Sequence, residues 1–91
     1  MKAQILGKRI KPRVNDKGEV MGYYNELHYV EVKDMRPNSK EEKCEGKKVG
    51  FINTGMNLSD VVVGDVYNLD FEIQRFRDET TLRLSDIEAL E

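Results

Sequence analysis

Five cations and three tyrosines crowd residues 8–29 of this 91-residue chain. Lys8, Arg9, Lys11 and Arg13 lead into the tetrad Asn15-Asp16-Lys17-Gly18, and Tyr23, Tyr24 and Tyr29 follow it. No acidic residue precedes Asp16. The chemistry these side chains offer is non-covalent. Ammonium and guanidinium groups neutralise phosphates, and phenol rings stack on bases that have no partner strand. A single-stranded nucleic acid is the ligand that uses both.

Other chemistries find little footing. General acid–base or nucleophilic catalysis needs a base that a third group orients within a pocket. The only histidine, His28, has Glu26 and Glu31 near it in sequence but no nucleophile within strand reach. The only cysteine, Cys44, sits among charged residues without a catalytic partner. One Cys and one His at no ligand spacing give no metal site. The chain therefore reads as a binding protein, not an enzyme, with no cofactor and no metal.

Strands must position the cations and rings. Residues 2–14 alternate imperfectly, with Ala3, Ile5 and Gly7 on one parity and Leu6, Ile10 and Val14 on the other. Gly7 marks a bulge or bend, and Pro12, which has no N–H, places this stretch at an edge or in a projecting hairpin arm. Asn15 to Gly18 turns the chain, and a second run extends from about Glu19 to Lys33 with Gly22 as another bulge. Adjacent Tyr23 and Tyr24 fall on opposite faces, so one ring is core and the other exposed; alternation alone does not say which, and Tyr23 is the expected exposed one. His28 shares a face with Val30 and Val32 and reads as a packed histidine. Residues 34–48 have no apolar period and form a long exposed charged loop. Val49 to Thr54 is a short strand, and Asn57 or Ser59 could cap one helical turn before three valines. Val66 to Phe76 has the cleanest period of two, with Tyr67, Leu69, Phe71 and Ile73 inward and Phe76 outward. Thr81 to Leu84 pairs back. Five strands and short turns point to an all-β fold: a single domain over 1–91, built as a small five-stranded antiparallel Greek-key barrel, OB-like.

Composition bounds the partners. The net charge of −2 conceals an asymmetry: residues 1–48 carry twelve Lys/Arg against eight Asp/Glu, and residues 49–91 three against nine. An acidic whole argues against avid duplex binding, where a basic domain is the usual footprint. No apolar run approaches the ~18 residues of a membrane span, and the N-terminus lacks a signal-peptide core. The expected compartment is cytoplasmic, with no membrane partner.

Two stretches resemble a known family. The first is Gly22-Tyr23-Tyr24-Asn25-Glu26-Leu27-His28-Tyr29-Val30-Glu31-Val32. The second runs from Val63-Gly64-Asp65-Val66-Tyr67 through Phe71 and Phe76, five residues apart, to Leu82-Arg83-Leu84. In order and spacing they are similar to the helix-destabilising single-stranded DNA-binding proteins of filamentous bacteriophages. The charged loop 34–48, the Arg77-Asp78-Glu79 tip and the acidic ending depart from that pattern. The resemblance implies an OB-fold homodimer with a phage- or mobile-element-like replication role. It implies that Lys11, Arg13 and Lys17 grip the phosphates and that Tyr23 stacks on a base; Lys8, in the same basic run, is a further candidate contact read from the residues themselves. Tyr29 would lie on or beside that surface, and Phe76, flanked by Arg75 and Arg77, would add a ring at the second hairpin tip. The partner is single-stranded DNA, with RNA as the alternative. The competing reading is a non-enzymatic protein-interaction barrel whose acidic C-terminal end, Asp86, Glu88 and Glu91, docks a protein.

Overall fold

Alternating side chains give five strands, because a period of two puts one row of each on a shared core and leaves the other in water. The computed structural model describes residues 1–90, so Glu91 lies outside the described residues. The strands are β1 (Lys2–Val14), β2 (Val20–Asp34), β3 (Lys47–Thr54), β4 (Val66–Phe76) and β5 (Glu79–Ala89). They form one antiparallel sheet in the order β3-β2-β1-β4-β5, with no helix among the described residues. β1, β2 and β3 form a meander, and β4 returns to pair with the free side of β1. That is a Greek-key connection.

The expected closed barrel is not what forms. β3 and β5 curl toward each other, yet no ladder joins them, so the sheet stays open along that seam. Across the interior the rings of Tyr29 and Phe71 approach to 5.9 Å. The core is small: Ala3 and Ile5 from β1, Leu27 from β2, Ile52 from β3, Tyr67 and Leu69 from β4, and Leu84 from β5. The connection 55–65 contributes Leu58 and Val61 to it. This segment holds no helical turn. Asn57 Oδ1 accepts from the Ser59 amide, and Val62 N–H donates to the Tyr67 hydroxyl at 2.8 Å.

Bulges decide which residues face that core. β1 shifts register between Ile5 and Gly7, so Leu6 is the extra residue and every later side chain changes face. Ala3 and Ile5 face inward, and after the bulge so do Lys8 and Ile10. A second shift lies opposite Arg13 and Val14, where Gly22 takes φ +146°, a conformation that β-carbons disfavour. A third, at Ser85, carries β5 beyond Leu84 as far as Ala89.

Both hairpins outrun the core. β1 and β2 continue past it as an arm to the turn at Asn15, whose side-chain oxygen accepts from the amides of Lys17 and Glu19. β4 pairs with β1 only at Lys2–Gln4 and then runs the other way. The two hairpin tips therefore sit at opposite ends of a molecule 57 Å long. Residues 35–46 loop out between β2 and β3, drawn together at the neck by a 2.8 Å bond from the Met35 amide to the Gly46 carbonyl.

Candidate nucleic-acid interface

The face of β1–β2–β3 turned away from the core gathers the cations and rings. On β1, Arg9, Lys11 and Arg13 share this face once the Leu6 bulge is passed. Register places Lys11 opposite Tyr24, Arg9 opposite Glu26, and Gly7 opposite His28, with Phe51 next in line on β3. The Arg13 guanidinium lies 4.7 Å from the centre of the Tyr24 ring. His28 and Phe51 stack at 5.4 Å with planes 21° apart. Phe51 is 61% exposed, and Tyr24 is exposed too. At a rise of ~3.3 Å per residue, Tyr24 and His28 stand about 13 Å apart along β2. The face thus has two ring stations beside a row of three cations.

One acid interrupts it. Glu26 Oε2 lies 3.2 Å from His28 Nε2 and 4.0 Å from Arg9 Nε. Its carboxylate lowers the positive potential midway between the stations.

Several expected site residues stand elsewhere. Lys8 faces the core side, where its ammonium donates to the carbonyls of Leu58, Ser59 and Val61 at 2.9, 3.2 and 2.7 Å. A cation holding three carbonyls pins the 55–65 connection and is not free for a phosphate. Tyr29 is half-buried on the core side against Phe71, with Gly50 so close that a β-carbon there would meet the ring at 2.9 Å. Burial and then the Glu31 carboxylate hold its phenol above the ordinary 10.0. It does not reach the cation face.

Tyr23 and Tyr24 are both exposed, because the arm has no core behind it; Tyr23 lies on the face opposite the cations. Lys17 sits at the arm's turn, exposed. His28 is packed, but on the outer face against Phe51 and not in the core. At the other tip Phe76 is 72% exposed with the Arg77 guanidinium 5.4 Å from its ring centre, while Arg75 takes the opposite face. These three cannot share one surface with the arm inside a single chain.

Charge separates in space as it does in sequence. The outer face of β4–β5 carries Asp70 opposite Asp86, and Glu72 paired with Arg83 at 3.8 Å. No three His, Cys, Asp or Glu side chains among the described residues converge to hold a metal ion. No family model matches the chain, and neither does any curated protein or solved structure.

Proposed function

We propose that this sheet is an OB-like barrel with an open seam, and that it binds single-stranded nucleic acid across its β1–β2–β3 face. One observation carries the reading: Arg9, Lys11 and Arg13 lie in register beside Tyr24, His28 and Phe51 on a single exposed face. OB-like barrels bind oligonucleotides on the face of the second and third strands and through the first hairpin loop; Tyr24, His28 and Phe51 lie on those two strands, and the cations lie beside them on β1. The phosphates run along the cation row, and bases stack on Tyr24 and on the His28–Phe51 pair. Stacking needs no particular base, so binding is sequence-tolerant and salt-sensitive. The likeness of residues 22–32 and 63–84 to the filamentous-phage proteins supports DNA over RNA and a replication role as a homodimer.

The chain has four tyrosines and no tryptophan, so its emission reports directly on these rings. Titration with a thymidine oligonucleotide at low salt is expected to quench that emission, and added salt to restore it. Absence of quenching at low salt rejects the reading. A second reading, docking of a protein chain, rests on the unpaired edges of β3 and β5. Under that reading a partner protein, and not the oligonucleotide, shifts the backbone amides of those edges.

A further inference from the structure

Beneath the arm, on the face away from the cation row, lies a recess of about 260 Å³ lined by Ile10, Tyr23, Asn25, Gly55, Asn57 and Ser59. Its apolar walls are the Tyr23 ring and the Ile10 side chain, both exposed. Asn25 is only 2% exposed. Its Nδ2 donates to the Met56 carbonyl at 2.6 Å, but no donor among the described residues reaches its Oδ1. A buried carbonyl without a donor is uncommon in folded proteins and asks for a partner. The Lys8 ammonium, held on the Ser59 carbonyl, adds positive charge beside the recess.

We infer that this recess receives one unpaired base of the bound strand, its flat face against Tyr23 and, once the buried Asn25 amide turns toward the recess, an N–H of the base donating to Oδ1. The inference rests on the single-strand reading above and extends it to a second face of the arm. Access is open. β3 pairs with β2 only from Asn25 onward, so the Val20–Tyr24 edge is unpaired. A backbone lying along Lys11 and Arg13 can pass that edge and turn one base under it. Aromatic stacking on one side and an unpaired amide acceptor on the other suit a flat ring that carries an N–H. They do not suit a phosphate, whose oxygens are acceptors and would meet the acceptor oxygen of Asn25 with no proton between them.

Gly55 supplies the test, because a β-carbon there meets nothing within 4 Å and its backbone has no positive φ. Gly55→Leu fills the recess without removing any bond. Amide NMR of the full chain with a thymidine oligonucleotide should move the Asn25 side-chain signals and the Gly55, Asn57 and Ser59 amides, together with Tyr24 and Phe51. In Gly55→Leu the recess signals should stay still, and affinity should fall about tenfold, the scale of one lost stacked base. Tyr23→Ala, an arm substitution remote from the core, should give a similar loss. An oligonucleotide of abasic sugars should move the cation face alone. If the thymidine strand shifts Tyr24 and Phe51 but leaves the recess unmoved at saturation, the recess holds only solvent and this inference fails while the single-strand reading survives. If Gly55→Leu and Tyr23→Ala both bind like the parent, it fails in the same way. Signals silent on both faces overturn both.

Discussion

Lys8 and Arg13 lie five residues apart on one strand and do different work. The Lys8 ammonium holds three carbonyls of the 55–65 connection, whereas the Arg13 guanidinium sits over an exposed ring. Bonds from a charged donor contribute about 1.5–3 kcal/mol, less where water competes. Lys8→Met is therefore expected to lower unfolding free energy by about 1–2 kcal/mol in urea and to leave the salt slope of oligonucleotide binding unchanged. Arg13→Ala should reverse the pattern, keeping the melting temperature and reducing the salt slope by about 0.7, the value of one single-strand phosphate contact. Glu26→Gln removes the acid between the ring stations and should tighten binding by roughly two- to fivefold at low salt, on the scale of one exposed charge pair. Tyr29 acts on stability. Its phenol keeps its proton to higher pH in the folded chain than in the unfolded one. The contribution is thus intact below about pH 10 and is lost as pH rises through the folded value. Urea midpoints taken across that range should fall for the parent and stay flatter for Tyr29→Phe. The sequence singles out Lys11 and Arg13, which share the outer face, but it also names Lys8, which does not, and passes over Arg9, which does. One extra residue at Leu6 inverts everything after it, and composition does not say on which side of Gly7 the bulge falls.

At the scale of elements, four of the five strands follow from alternation, within a residue or two of their ends. β5 is the exception, since Leu82 and Leu84 alternate but Ile87 follows three residues later. Ser85 absorbs the mismatch as a bulge, its hydroxyl donating to the Asp70 carbonyl at 3.0 Å, and Leu84 and Ile87 both turn inward. A pattern of strict alternation ends the strand there; the bulged ladder continues it. β2 hid its outer face for a related reason. Its core row contains Tyr23, Asn25 and Glu31, and its outer row contains Tyr24, His28 and Val30. Neither row is cleanly apolar, so the sequence does not tell which one water sees. The β4–β5 turn carries strain: Arg77 takes φ +57° where a β-carbon is crowded. Left-handed backbone costs about 1–2 kcal/mol, and glycine's extra freedom when unfolded returns about 0.5–1 kcal/mol of that. Arg77→Gly should therefore stabilise the chain by roughly 0.5 kcal/mol, read as a higher urea midpoint.

The whole molecule is long for its size because its two hairpins leave a small core in opposite directions. Phe76 and Tyr24 consequently serve different ends. Phe76→Ala should leave affinity unchanged for an oligonucleotide only long enough to cover the arm, whereas Tyr24→Ser should weaken it about tenfold, as measured by anisotropy. The sequence places both rings on hairpins but not on which end, because strand order in a sheet depends on the return of β4 to β1, a contact no local pattern encodes.

That return also sets the order in which the chain assembles. β1 is first to be synthesised, yet Ala3 completes its pairing only when Tyr67 arrives to flank it opposite Glu31. The β1–β2–β3 meander can form early from neighbouring segments, while its inner row waits for Leu69 and Leu84 from the last quarter of the chain. Pairings so distant in sequence place a domain among the slow folders, in the millisecond-to-second range. A nascent chain lacking residues 66–89 should therefore hold its arm as a loosely anchored hairpin and gain resistance to proteolysis only after the final strands emerge.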